Sequence, residues 1–142
     1  MTRVRFYEEV ADELLKFAVI IAKYEGKWVF CKHRERDTYE LCGGHREAGE
    51  AIIDTAKREL YEESGALTFD LQKICVYGVQ KDEAFNGEES FGMLYYADVK
   101  SFEPQLHYEI EKIVLTEKLI EHWTYPDIQP ALIEEAIKRG IC

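Results

Sequence analysis

The segment from Gly43 to Gly65 constrains the fold of this chain more than any other part of its sequence. The adjacent glycines Gly43 and Gly44 allow the backbone to approach a ligand closely. From Glu50 to Ser64 apolar residues recur at helical spacing, and Gly65 follows where a helix C-cap favours glycine. The sequence therefore predicts a glycine-bearing loop that leads into an amphipathic helix. Its predicted inward positions are Ile53, Ala56 and Leu60.

The same helix carries three carboxylates on one face. Glu59, Glu62 and Glu63 stand at positions i, i+3 and i+4, within an arc of about 100°. Like charges at this spacing repel by roughly 0.2–0.5 kcal/mol per pair, and the negative end of the helix dipole disfavours them further. A solvated acidic face would show the same pattern. A divalent cation bound by the carboxylates would remove both costs, because Mg²⁺ prefers oxygen ligands.

The residues around these carboxylates favour the cation site. They read Gly44-x5-Glu50-x7-Arg58-Glu59-Leu60-x-Glu62-Glu63-x-Gly65-Ala66. This pattern resembles the Nudix box, G-x5-E-x7-R-E-U-x-E-E-x-G-U, in which U is a bulky aliphatic residue. Every fixed position matches, and only the last aliphatic position is reduced, to Ala66. Cys42 stands where the family often has proline, so it either loosens the loop or fills a gap in the core.

The resemblance implies a Mg²⁺-dependent, or Mn²⁺-dependent, pyrophosphohydrolase with a role for each matching residue. Glu62 and Glu63 would be the main metal ligands, and Glu59 a further ligand or the base that accepts the proton of the attacking water. The carbonyl of Gly43 would be a backbone ligand. Arg58 would orient the carboxylates by bidentate pairing, and Glu50 would pair with Arg58 or hold the loop.

Many members of the family recruit one more carboxylate from a later loop. The first candidate in this chain is Glu109, as a metal ligand or a base, followed by Glu111. Glu88 and Glu89 are the second choice. For each of them, a solvated surface glutamate is the alternative interpretation.

Several residues outside the helix are candidates for binding the substrate. Gly44 and His45 lie beside the box, and Arg34 belongs to a charged loop that could reach the phosphates. Flat side chains suit a base pocket, so Trp123 and Tyr125, in predicted loops, are the candidates for stacking. The alternatives are a solvated turn for the charged loop and a core position for any single aromatic ring.

The order of strands and helices predicts one α/β domain that spans residues 1–142, a sandwich with a mixed sheet. The resemblance implies an α/β/α sandwich of the Nudix type. Residues Val4 to Lys16 are interpreted as a short helix or an irregular arm, with Val10, Leu14 and Leu15 inward. The predicted strands are Phe17–Tyr24, Lys27–Lys32, Tyr39–Leu41, Leu71–Gln80, Phe91–Val99 and Ile110–Leu115, and a C-terminal helix covers Ile128–Arg139.

Composition limits the partners and the location. The net charge of -10 argues against nucleic acid, although a nucleotide with a cation remains a suitable ligand. The longest apolar run is too short to span a bilayer, and the acidic N-terminal residues do not resemble an export signal. We therefore expect a cytoplasmic protein without a membrane partner, as a monomer or a homodimer, with reduced thiols.

Outlying residues indicate the substrate class. The stretch from Leu119 to Pro130, with Tyr125-Pro126, resembles the tail of small MutT-like members that hydrolyse nucleoside triphosphates, including oxidised ones. The expected substrate is thus a (d)NTP or an oxidised dGTP-like nucleotide, which gives the monophosphate and pyrophosphate. Two alternatives stay open: a Nudix domain that binds a nucleotide without cleaving it, and a pyrophosphohydrolase of RNA 5′ ends.

Overall fold

The structure, a computed structural model, describes residues 2–81, 88–104 and 110–142, and of residues 110–112 the backbone only. These residues form seven strands, two α-helices and one short 3-10 helix. The elements are β1 (Thr2–Tyr7), the 3-10 helix (Asp12–Leu14), β2 (Leu15–Tyr24), β3 (Lys27–His33), β4 (Cys42–His45), α1 (Ile52–Ser64), β5 (Ala66–Lys81), β6 (Glu89–Phe102), β7 (Ile110–Thr116) and α2 (Gln129–Lys138).

One mixed sheet contains all seven strands. Its order is β1-β5-β6-β2-β3-β7, and β4 pairs with β2 outside this path. Strands β2 and β6 are parallel, whereas every other pair in the sheet is antiparallel. The mixed sheet predicted from the sequence is therefore confirmed. No helix in the described part of the chain is long and apolar enough to cross a membrane.

A helix covers each face of this sheet. Because side chains alternate along a strand, Ala18 and Ile20 of β2 enter one apolar cluster and Val19 and Ile21 enter the other. The first cluster includes Ala56 and Leu60 of α1, and the second includes the buried apolar residues of α2, which are Leu132, Ile133 and Ala136. This arrangement is the predicted α/β/α sandwich. It places α1 directly beside β4, and thus beside the glycine pair.

Two local predictions are confirmed in detail. Glu25 and Gly26 have φ values of 50° and 80°, as a tight turn between two antiparallel strands requires, and they join β2 to β3. At the end of α1, Gly65 adopts the left-handed conformation with φ of 76°, and its N–H donates to the carbonyl of Tyr61. The glycine therefore ends the box helix one residue after Ser64.

Several local predictions are wrong. Residues 2–7 form a strand paired with β5, because Val4 and Phe6 alternate with charged residues and pack into the core. Leu14 is 43% exposed, since the 3-10 helix turns it outward. Ile53 is also 43% exposed. It lies in the first turn of α1, which begins at Ile52, and the buried apolar face of the helix consists of Ala56 and Leu60.

The short strand predicted at Tyr39–Leu41 is not found there. Tyr39 and Glu40 form only isolated bridges, and the strand that follows them is β4.

Candidate active site

The glycine pair and the box helix fit together without space for a side chain. A Cβ on Gly44 would collide with the carboxylate of Glu59, and a Cβ on Gly43 would lie 2.5 Å from the carbonyl oxygen of Ala18. The N–H of Gly43 donates to Oε1 of Glu63 at 2.6 Å. Strand β4 therefore holds two box carboxylates, one through a backbone hydrogen bond and one through close packing.

Arg58 links the start of the helix to the carboxylate face. Its Nε and Nη2 donate to the two carboxylate oxygens of Glu50 at 2.8 and 3.1 Å, and Nη2 also donates to the carbonyl of His45 at 2.9 Å. Its Nη1 contacts Glu59 at 2.7 Å and Glu62 at 3.3 Å. The expected pairing of Arg58 with these carboxylates is therefore present, and Glu50 both pairs with Arg58 and stays at the loop.

The carboxylates of the segment differ in how well their charges are compensated. The hydrogen bond from Arg58 lowers the pKa of Glu50 to about 2, helped by a hydrogen bond from Thr55. Burial raises the pKa of Glu59 to about 7, and the nearby charge of Glu63 adds to this effect. Burial likewise raises the pKa of Glu63, which is only 8% exposed. Two buried carboxylates at the end of α1 thus lack enough positive charge.

The structure also brings His33 and Glu40 to the box, a contact that the sequence analysis missed. Nε2 of His33 lies 2.6 Å from Oε1 of Glu40 and 3.3 Å from Oε2 of Glu63. The hydrogen bond to Glu63 is the main cause that raises the pKa of His33. Glu40 stands between apolar neighbours in the sequence and is buried, so an acidic residue within an otherwise apolar strand-like run is the signal that was available.

The donor set fits a hard divalent cation. Glu59, Glu62 and Glu63 supply carboxylate oxygens from one helix end, next to the backbone of Gly43. Burial raises the pKa values of both Glu59 and Glu63, and a neighbouring carboxylate, Glu63 for the first and Glu40 for the second, adds to it, so a cation would relieve an existing electrostatic cost. The assignment of individual ligands, including the carbonyl of Gly43, stays a prediction.

A cavity of about 300 Å³ opens beside the glycine pair. Its wall includes Gly43, Gly44, His45 and Tyr125. Gln129, at the start of α2, also lines it, and the sequence analysis missed this residue. The sizeable apolar part of the wall consists of Phe17, Val19, Leu41, Tyr77, Val79 and Ile128. The cavity therefore has a largely apolar wall that includes the glycine pair.

Other candidates lie elsewhere. The ring of Trp123 packs edge-on against buried Phe30, with 5.4 Å between centroids, and does not line the cavity. Arg34 is exposed in the charged loop. Glu109 and the side chain of Glu111 lie outside the described residues. Glu88 is exposed, and Glu89 accepts a hydrogen bond from Tyr7 of β1.

Cys42, which stands where the family often has proline, lies in the core. Its side chain is fully buried, and its Sγ lies 2.9 Å from Sγ of Cys31 on β3. Cys42 thus fills space in the core between two strands. Cys31, Cys42 and Cys75 are buried free thiols, and Cys142 is partly exposed.

A comparison with models of protein families shows to which family the chain belongs. The model of the NUDIX domain matches residues 14–134, which include the glycine pair, α1 and most of α2. The chain belongs to the Nudix family. The matched range contains the whole box, from Gly44 to Ala66, and the chain is a Nudix hydrolase.

Individual relatives agree with this assignment. The chain is 30% identical over 121 residues to a Bacillus subtilis (strain 168) protein named "Putative 8-oxo-dGTP diphosphatase YtkD", with 84% of this chain and 73% of the relative covered. The structure of a mutant of the Bacillus subtilis pyrophosphohydrolase BsRppH superposes with a TM-score of 0.78 at 24% identity, covering 98% of this chain and 91% of that one. The Nudix domain of Shewanella oneidensis NrtR, complexed with ADP ribose, gives 0.63 at 17% identity, covering 89% and 88%.

Proposed function

We propose that this Nudix hydrolase is a Mg²⁺-dependent enzyme that cleaves a (d)NTP or an oxidised dGTP-like nucleotide to the monophosphate and pyrophosphate. The observation that carries the proposal is that one glycine pair, Gly43 and Gly44, lies against two undercompensated carboxylates of α1 and also lines an apolar cavity large enough for a nucleoside. The 30% identity to a protein named for 8-oxo-dGTP supports the oxidised guanine nucleotide within this class.

The box residues have distinct roles in the proposed reaction. Glu62 and Glu63 hold Mg²⁺, which when bound neutralises phosphate charge and favours ionisation of the attacking water. Arg58 fixes the carboxylates from the side through its contacts to Glu50, Glu59 and Glu62. The water oxygen bonds to phosphorus while the bridging P–O bond breaks, and the water proton passes to Glu59. Glu59 lies on the same helix face as Glu62 and Glu63, which suits it to accept that proton.

Gln129 is placed to bind the nucleobase in the proposed substrate cavity. The backbone N–H of Leu41 donates to Oε1 of Gln129 at 2.8 Å, which fixes the orientation of the amide. Since Oε1 is engaged, Nε2 is the amide atom that can donate to a base in the cavity. A carbonyl oxygen or an unprotonated ring nitrogen of a purine is the matching acceptor. The surrounding apolar wall, which includes Phe17 and Tyr77, suits the flat face of the ring.

The test is the release of phosphate and pyrophosphate from a nucleotide panel, with Mg²⁺ and with chelator. The panel contains canonical and oxidised dNTPs, ADP-ribose, NADH, dinucleoside polyphosphates, a nucleotide sugar and RNA with a 5′-triphosphate. We expect chelator-sensitive release of pyrophosphate from nucleoside triphosphates, fastest with 8-oxo-dGTP. The net charge of -10 disfavours the RNA, so faster cleavage of RNA ends would contradict the proposed substrate class.

A matched variant examines the base pocket. Gln129→Glu keeps an oxygen acceptor for the N–H of Leu41 but replaces the amide donor by a second acceptor. We expect a higher KM for the preferred nucleotide, and a melting curve shows whether the variant, with a carboxylate at a position that is 5% exposed, is folded. An unchanged KM would exclude Gln129 from base recognition.

Tight binding of a nucleotide without cleavage by the wild-type protein would indicate a nucleotide-binding Nudix domain instead.

A further inference from the structure

A chain of polar contacts reaches the box from the loop between β3 and β4. Nη1 of Arg36 donates to Oε2 of Glu40 at 3.0 Å, and Oε1 of Glu40 lies 2.6 Å from Nε2 of His33. The same nitrogen lies 3.3 Å from Oε2 of Glu63. Glu40 is 5% exposed and the side chain of His33 is 18% exposed, so the contact between these two is largely shielded from water, whereas Arg36 is exposed. They connect one box carboxylate to a segment outside the box motif.

Glu63 is thereby held from two directions. Oε1 accepts the N–H of Gly43 on β4, whereas Oε2 faces His33 at the end of β3. The backbone contact alone would leave the carboxylate free to rotate about that hydrogen bond. A second donor, on the other oxygen, defines the plane of the group. The side chain of Glu63 is 11% exposed, and solvent can do little to reorient it.

We propose that His33 is a positioning residue for the divalent cation: its single Nε2–H is shared between Glu40, at 2.6 Å, and Glu63, at 3.3 Å, so that Glu40 holds His33 in place and His33 orients the carboxylate of Glu63. This inference rests on the proposed function, in which Glu63 is a metal ligand. A carboxylate oxygen has two lone pairs, so Oε2 can accept from His33 and still face a cation. Residues that hydrogen-bond to metal ligands typically change metal affinity by about 10–100-fold when they are lost.

A donor role explains the contacts of His33 better than a ligand role. One ligand atom from each of His33, Glu40 and Glu63 lies within 4.8 Å of the others, so the three side chains could in principle surround a cation. However, the 2.6 Å between Nε2 and a carboxylate oxygen of Glu40 is a hydrogen-bond distance, too short for both atoms to coordinate one cation. The guanidinium of Arg36 on Glu40 would also repel a cation placed there.

The test measures Mn²⁺ affinity by electron paramagnetic resonance on the full chain, without substrate. We expect His33→Ala to weaken Mn²⁺ binding about 10–100-fold. His33→Gln should stay within a few-fold of wild type, because its amide N–H can replace the imidazole donor. His122→Ala, at an exposed histidine, is the matched control and should bind Mn²⁺ like wild type. Melting curves with chelator show whether each variant is folded.

The outcomes separate this inference from the proposed function. Mn²⁺ binding by folded His33→Ala at wild-type affinity would overturn the positioning role while leaving the metal site intact. Nitrogen hyperfine coupling that is present in wild type and lost in His33→Gln would also overturn it, because His33 would then be a direct ligand. If wild type itself binds no Mn²⁺, the proposed function fails first. If His33→Ala melts early, His33→Asn, whose amide is too short to reach Glu63, gives the same comparison.

Discussion

Two groups of carboxylates in the box segment have opposite electrostatic environments. Glu50 lies before α1 and accepts hydrogen bonds from Arg58 and Thr55, which lower its pKa to about 2. Glu59, one turn from the end of the helix, contacts the same arginine but is more deeply buried, and its pKa is raised to about 7. One arginine therefore compensates the first carboxylate and leaves the second undercompensated.

This difference distinguishes a structural carboxylate, whose charge is compensated within the protein, from carboxylates that remain available to a cation. The oxygens of Glu50 are engaged by protein donors, so this residue secures the loop that precedes the helix. Glu59 and Glu63 share a region where burial and repulsion both disfavour their charged forms. An external cation stabilises such a pair more than a pair already neutralised by the protein. Sequence alone assigns all of these glutamates to one motif, whereas the structure divides them by environment.

The largest effect should come from replacing one glutamate of each kind by glutamine. Glu63→Gln removes the charge of a proposed metal ligand, and we expect turnover of the preferred nucleotide to fall by several orders of magnitude with the fold retained. Glu50→Gln removes a charge engaged by Arg58. It should reduce turnover far less but lower the melting temperature. The measurement is kcat at saturating Mg²⁺, with a melting curve for each variant.

Equal losses of turnover in the two variants would remove the distinction between structural and available carboxylates. Wild-type turnover in Glu63→Gln would remove the metal site from this helix end altogether.

A second test uses the two glycines of β4. A Cβ on Gly44 meets the flexible end of Glu59, while a Cβ on Gly43 meets the backbone of β2. We therefore expect Gly44→Ala to displace Glu59, keep the fold and lower kcat by about 10–100-fold, in the range of other losses of support for a metal ligand. Gly43→Ala should mainly destabilise the protein. Circular dichroism, melting curves and kcat on both variants distinguish these effects, and a fully active Gly44→Ala would contradict the placement of Glu59.

The sequence predicted most of the fold because its strongest signals are local. The C-cap at Gly65 and the turn at Glu25-Gly26 depend on backbone conformations that few residues other than glycine favour. The N-terminal segment was misread since its partner, β5, lies about 70 residues away in the sequence, and only pairing reveals that Val4 and Phe6 share a buried face.

The candidate site was predictable to the extent that it is contiguous. Spacing on one helix brought together Arg58, Glu59, Glu62 and Glu63. His33 reaches Glu63 from 30 residues away in the sequence, across the packing of β3 and β4 against α1. Gln129 reaches the cavity from the other helix, since α2 covers the opposite face of the sheet. Contacts between distant segments of this kind leave no periodic signal in a single sequence.

A smaller effect should appear in stability when Mg²⁺ is added. A cation that binds only the folded arrangement at 100 times its Kd adds about 2.7 kcal/mol, which is several degrees in melting temperature for a domain of this size. Glu63→Gln should lose most of this shift, whereas Glu50→Gln should keep it. Thermal unfolding with and without millimolar Mg²⁺ measures both, and an equal shift in the two variants would place the cation elsewhere.

The smallest effect concerns pH in the metal-free protein. Because the pKa of Glu59 is about 7 when folded and 4.5 in the ordinary case, the folded state binds the extra proton between these values. Its contribution to the free energy of unfolding is therefore lost as pH rises from about 4.5 to about 7, by at most about 3 kcal/mol. The raised pKa of His33 acts in the same direction, so Glu59→Gln should flatten the dependence only in part. The lowered pKa of Glu50 affects stability only below this pH range.

Urea unfolding with chelator between pH 5 and 8 measures how steeply the free energy of unfolding changes with pH. Identical slopes for wild type and Glu59→Gln would mean that Arg58 compensates Glu59 as fully as it does Glu50.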